Sequence, residues 1–274
     1  MQGQPAPLDF RGARVRSVLS LIALTMALLP ALANRTAADD APRAGHIAEV
    51  RDIQTFVTKL DDLDTALKVT KYEPLELEKI SPDFKTTYSV RNLNLQFKQP
   101  DKLRLEGHSA TRGSALMILN GTVRFYSVPK FHLKKSEDLV NSPGKRQSLL
   151  EYAGLVVPDT LRFMQAQFVK AETLNGENTA VFDLTYLGTG AGSSHYRIWI
   201  DTRTHITTKR EWYDSANKLR ATFVYLDPHE VTGGVWLPGR LEVKNVEGAV
   251  AAEVTFSEAK ANQKLPDSLF EITP

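Results

Sequence analysis

The sequence predicts a mainly β (α+β) protein, an unclosed, strongly curved antiparallel β-barrel of about ten strands with a helical lid. Three observations lead there. Apolar and polar residues alternate through most of the chain beyond Thr65, the period of half-buried strands. The links between these runs are short and rich in Gly, Asn, Asp and Pro, too short for the crossovers that parallel strands require. Two stretches instead repeat apolar residues every three or four positions, which supplies helices to cover the concave face of a sheet too long to stay flat.

The first element is an export signal. Arg11, Arg14 and Arg16 precede an uncharged run from Val18 to Leu29, Pro30 breaks it, and Ala31-Leu32-Ala33 offers a cleavage site. The run is shorter than the roughly 20 apolar residues a membrane-spanning helix needs. Residues 1–33 are therefore a cleaved signal peptide, and residues 34–45, rich in Ala and Asp without apolar period, are a disordered leader. Three of the 34 basic and one of the 32 acidic side chains lie in the signal, so the remainder is formally neutral. The overall basic balance is thus no sign of a nucleic-acid partner. With no Cys, thiol catalysis, thiolate metal sites, disulfides and a lipid-modified Cys anchor are excluded. The expected mature protein is a monomer free outside the cytoplasm.

Residues 46–274 form the domain. Ile47, Val50, Ile53, Val57, Leu60 and Leu63 make the stripe of an amphipathic helix. Strands follow at Leu67 and Val69, at Leu93, Leu95 and Phe97, and, beyond the Pro100-Asp101 turn, at Leu103 and Leu105. Ala115 to Asn120 and Val123 to Val128 flank Asn120-Gly121, a hairpin signal. Residues 129–147 read as a long polar loop. Leu149, Leu150, Ala153, Val157, Leu161 and Met164 give a second helical stretch that Pro158 splits into two. Six further strands are expected at 180–187, 194–201, 206–213, 219–226, 237–246 and 249–256.

Motifs for chemistry are sparse. Gly188, Gly190 and Gly192 precede a strand, where a dinucleotide site needs a helix, so they read as a hairpin loop. Gly144-Lys145 lacks the following Ser or Thr of a phosphate loop. The His residues never stand at the helical spacing of a zinc protease, and no Gly-x-Ser-x-Gly occurs. Asp61, Asp62 and Asp64 lack the Gly-containing pattern of a calcium loop and read as a solvated helix end. The Trp and Tyr residues of the C-terminal strands read as core and cross-strand pairs. No catalytic residue, metal ligand or cofactor is expected, and the protein is not an enzyme. The remaining feature is a concave apolar face carrying Leu93, Leu95, Phe97, Leu103, Leu105, Met117, Val123 and Phe125. It is either a core filled by the helices or a hydrophobic cavity for acyl chains.

Several sequence words resemble the LolA-like family of periplasmic outer-membrane lipoprotein carriers and sorting proteins. They are Phe97-Lys98-Gln99-Pro100-Asp101-Lys102-Leu103-Arg104, Leu119-Asn120-Gly121-Thr122-Val123-Arg124-Phe125-Tyr126, and Leu269-Phe270 to Pro274. Tyr196-Arg197-Ile198-Trp199-Ile200-Asp201, Glu211-Trp212-Tyr213-Asp214 and Gly234-Val235-Trp236-Leu237-Pro238 lie between. The resemblance implies a cavity rather than a filled core, with lipoprotein acyl chains or lipids as ligands and a role in outer-membrane lipoprotein sorting. Carriers of this kind place an Arg before the Pro of the strand-turn word, where it latches the lid. Gln99 stands there instead, a latch-equivalent without charge. The other function the resemblance implies is an envelope signalling or assembly module that binds an inner- or outer-membrane protein partner.

Overall fold

The computed structural model describes residues 49–109, 113–188 and 193–272. The expected signal peptide and leader, and Gly190 and Gly192, lie outside the described residues. All elements below belong to the unit His46–Pro274.

The chain enters through a single 3-10 turn, Ile53–Phe56, whose start is capped by the Asp52 carboxylate accepting from the Gln54 amide. Over the described residues 49–63 the expected amphipathic helix does not form. A short isolated helix is marginal in water, and here Leu63 is drawn into strand β1 (Asp62–Tyr72). Ile53 and Phe56 are buried nonetheless, in the core beneath the C-terminal strands.

Two helices follow that alternation alone did not reveal, α1 (Pro74–Ile80) and α2 (Pro82–Thr87). Each starts on a proline, whose fixed φ and missing donor suit a first turn, and the Ser81 hydroxyl caps α2 through the Asp83 amide. Strands β2 (Asn92–Lys98), β3 (Lys102–Ser109), β4 (Gly113–Asn120) and β5 (Val123–Val128) then form a meander. Its β4–β5 turn falls on Gly121-Thr122, one residue later than expected. Gly121 takes φ of 61°, while Asn120 stays in the strand opposite Val123.

The stretch expected as a loop contains β6 (Leu133–Asp138), which pairs with β5 along its whole length. Nearly all of β6 is exposed, so no apolar alternation marked it. Helices α3 (Leu149–Ala153) and α4 (Pro158–Phe163) stand where expected, divided before Pro158. Met164, expected to end the helical stretch, instead begins β7 (Met164–Leu174). The remaining strands are β8 (Glu177–Tyr186), β9 (His195–Asp201), β10 (Thr207–Tyr213), β11 (Leu219–Leu226), the β12–β13 ribbon (His229–Thr232 and Val235–Leu237), β14 (Arg240–Lys244) and β15 (Val250–Ala261).

One antiparallel sheet therefore holds 13 strands in the order β6-β5-β4-β3-β2-β1-β15-β14-β11-β10-β9-β8-β7. The expected count of about ten is too low because β6 and β7 were not seen as strands. The sheet is not closed, since β6 and β7 are its two edges and do not pair with each other. These edges are consecutive in sequence, joined by residues 139–163.

The register settles which side chains share a face. Leu95, Leu105, Met117 and Tyr126 stand side by side across β2 to β5, as do Phe97, Leu103, Leu119 and Arg124. Val123 and Phe125 have the opposite parity and share the other face with Asn120, Ile118 and Arg104. That face is covered by a C-terminal 3-10 turn, Asp267–Phe270. Phe270 is fully buried there, and Arg104 and Asn120 donate to the carbonyls of Leu269 and Phe270.

Candidate functional site

Although β5 and β6 stand at one end of the sheet and β9 to β11 toward the other, both groups line one cavity of about 680 Å³. Its walls are completed by α2 and by residues 144–152. The size is that of a small-molecule site.

The sequence-predicted lining lies elsewhere. Leu95, Phe97, Leu103, Leu105 and Met117 sit in the larger hydrophobic cluster and Leu93 packs against it, while Val123 and Phe125 point to the opposite face. None of the eight borders the cavity. The same inward parity continues into more polar residues. Arg124 and Tyr126 extend it on β5, and Tyr196, Arg210, Trp212 and Phe223 extend it on β9 to β11. Sequence reasoning missed these because it followed apolar alternation, whereas the signal was an Arg or Tyr at the inward position of a strand.

One wall is aromatic. Phe84 of α2 stacks on Trp212 with ring centroids 5.8 Å apart, and meets Phe223 at 6.0 Å. Tyr196 pairs with Trp212 across the strands, in keeping with the expected aromatic pairing, but both rings also face the cavity.

The floor carries Arg210, which is 3% exposed. Its guanidinium lies 3.8 Å from the Phe223 ring centroid and 4.9 Å from that of Tyr196, and Nε donates to the Tyr225 hydroxyl at 3.3 Å. Tyr225 in turn donates to the Leu150 carbonyl at 2.8 Å, in the first turn of α3. Gly154 makes this approach possible. It terminates α3 with φ of 68°, and a Cβ there would stand 3.0 Å from the Tyr225 ring. No carboxylate lies within ion-pair distance of Arg210 among the described residues. The nearest acidic influence, Glu151, is occupied in a capping box with Ser148. Burial works against the Arg210 charge, but Tyr225, Tyr196 and Glu151 outweigh it and hold its pKa above the ordinary value. Burial also pushes the phenols of Tyr88, Tyr152, Tyr196 and Tyr225 up, so each stays a neutral hydroxyl.

Arg124 is handled differently. It lies over the Tyr126 ring at 4.9 Å and donates to Glu137 at 3.1 Å, to Gln147 at 3.1 Å and to the Lys145 carbonyl. Glu137 also receives Lys145 at 2.9 Å. Lys145 and then Arg124 hold the Glu137 carboxyl down to about 2. This cluster ties edge strand β6 to the residues that follow it.

Gln99 sits apart from the large cavity, beside a smaller one of about 500 Å³ next to residues 57–61. Its amide side chain donates to the Leu60 carbonyl, and its backbone amide donates to the Asp61 carbonyl at 2.8 Å. On the far side of the same turn, Asp101 receives Arg162 at 2.6 Å. The acidic triplet is no solvated helix end. Asp62 is buried on β1 and accepts from the amides of Gln263, Lys264 and Leu265. Among the described residues, no group of three or more His, Cys, Asp or Glu is placed to hold a metal ion.

Comparisons with known proteins agree on the architecture. A family model described only as that of an uncharacterized protein matches residues 150–273. No curated protein matches. Among solved structures, a LolA superfamily protein from Nitrosomonas europaea superposes with a TM-score of 0.55 at 14% identity, covering 80% of this chain and 94% of its own. An outer membrane lipoprotein-sorting protein domain from Vibrio parahaemolyticus gives 0.56 at 13% identity, covering 80% and 92%. A DUF1329 family protein from Desulfovibrio piger gives 0.54 at 13%, with the same coverage of 80% and 92%. On this evidence the chain has the fold of the LolA superfamily and its lipoprotein-sorting relatives.

Proposed function

We propose that this protein is a periplasmic carrier or binding protein for lipoproteins or lipid acyl chains, acting in outer-membrane lipoprotein sorting. The observation that carries the reading is the aromatic-walled cavity held inside an unclosed sheet of this fold. Residues 1–33 serve as the cleaved export signal, 34–45 as a leader, and 46–274 as the binding domain. The concave residues Leu93, Leu95, Phe97, Leu103, Leu105 and Met117 form the apolar floor against which a chain end would rest if α1 and α2 lift. In this reading α2 and residues 144–152 are the lid, and Gln99, the latch-equivalent, ties the β2–β3 turn to residues 60–61 and not to that lid. The role is binding, not turnover. Native mass spectrometry of protein purified gently from its own periplasm should show bound acyl species. Protein that stays empty after exposure to lipid extracts and acylated peptides refutes the proposal.

A second reading, an envelope signalling or assembly module, is favoured by one surface. Phe131 and Leu133 are 58% and 47% exposed at the β5–β6 turn, beside Lys130, Lys134 and Lys135. Photo-crosslinkers placed at 131 and 133 in cells distinguish the two. Capture of one integral membrane protein and no acylated species favours the module.

A further inference from the structure

Arg210 has more hydrogen-bonding capacity than the protein uses. A guanidinium carries five N–H donors in its plane and interacts with aromatic rings through its faces. Phe223 and Tyr196 occupy the faces, and Tyr225 takes only the Nε donor. The terminal nitrogens make no hydrogen bond among the described residues, yet they are not among the sealed, unpartnered atoms, so they open to the cavity. The other buried arginines are treated otherwise. Arg124 is paired with Glu137, and Arg146 with Asp159 at 2.8 Å.

Tyr88 and Tyr152 line the same cavity, and neither hydroxyl has a hydrogen-bond partner among the described residues. The cavity border therefore combines an unpaired buried cation, two neutral donors and the Phe84–Trp212 wall. Five basic side chains border it against three acidic ones, and two of the acidic ones, Glu137 and Glu151, are already engaged. Desolvating a cation without a counter-charge is strongly unfavourable. Stacking offsets part of that cost but leaves the in-plane donors facing the cavity. A planar or tetrahedral anion is the partner these donors fit.

We propose that the cavity binds an amphiphile by an anionic head, a carboxylate or a phosphate, seated on the free edge of Arg210 and on the Tyr88 and Tyr152 hydroxyls, with its chain along Phe84 and Trp212. This rests on the acyl-chain reading above for the chain, but not for the head. It distinguishes the ligand from a neutral ester or an alcohol of the same length.

The test is isothermal titration of the purified protein, stripped of bound lipid, with dodecanoate, dodecyl phosphate, dodecanol and butanoate. Dodecanoate and dodecyl phosphate should bind about tenfold or more tightly than dodecanol, the scale of a charge-assisted hydrogen-bond pair. Arg210→Met should erase that preference, so that dodecanoate and dodecyl phosphate bind no more tightly than dodecanol. Tyr88→Phe should weaken only the anionic probes, by about threefold. If Arg210→Met does not fold, the wild-type series and Tyr88→Phe decide alone. Dodecanol binding as tightly as dodecanoate overturns the head-group site and leaves the acyl-chain reading standing. Butanoate binding as tightly as dodecanoate does the reverse. No binding of any probe overturns both.

Discussion

Asp62 accepts three backbone N–H groups from residues 263–265 while almost wholly buried, so its carboxylate holds the end of the last strand to the start of the first. Asp62→Asn leaves at least one of those amides without an acceptor. It should lower stability by about 2 kcal/mol, as charge-assisted bonds of this type do, read from the urea midpoint at constant m-value. Gly154 presents the same logic without charge. Alanine there meets an unfavourable φ and the Tyr225 ring together, and should cost roughly 1–3 kcal/mol in the same assay. Because Tyr225 holds Arg210, Gly154→Ala should also loosen the cavity floor, seen as weaker binding of anionic probes.

Among the elements, β6 depends on charge more than on packing. Its Glu137 is held down to about 2 against an ordinary 4.5, first by Lys145 and then by Arg124. A depressed acid pKa gives stability that is present above the ordinary value and lost as pH falls toward the folded one. The melting temperature should therefore drop between pH 4.5 and 2 in the wild type. Glu137→Gln should start lower at neutral pH and show a shallower decline over that window. Most strands were legible because one face is buried and alternation reports it. The exceptions have physical causes. Strand β6 has almost no buried face, and Leu63, the end of the expected helical stripe, is taken by pairing of β1 with β2 and β15. On β5 the Asp267–Phe270 turn buries the outer face too, so apolar residues alone could not give its parity. The cavity was hidden for a related reason. Its wall is built of Tyr, Arg and Trp contributed by strands far apart in sequence, and only the curl of the sheet brings them together.

At the scale of the whole molecule, residues 139–163 span the gap between the sheet edges, and a buried ion pair fixes them. Arg146 and Asp159 are each 4% exposed in their side chains and lie 2.8 Å apart. Burial, only partly opposed by Arg146, pushes the Asp159 carboxyl up to about 6. A raised acid pKa means that the folded state binds more protons than the unfolded one between its ordinary 3.8 and about 6. This group's contribution is therefore largest below that window and falls as pH rises through it. The difference in melting temperature between wild type and Asp159→Asn should shift against the wild type from pH 4 to pH 7. A flat difference would show that pairing, and not burial, governs the site.

That spanning segment is also the one that brings Arg146, Gln147, Glu151 and Tyr152 to the cavity. Residues 139–163 thus join both unpaired sheet edges to the cavity wall, and a movement of either edge reaches that wall through them. Were a partner to dock at the open seam, its binding and the loading of the interior would be linked through that segment. By linkage, a ligand that tightens or weakens a partner's grip on the seam by some factor must have its own affinity changed by that same factor.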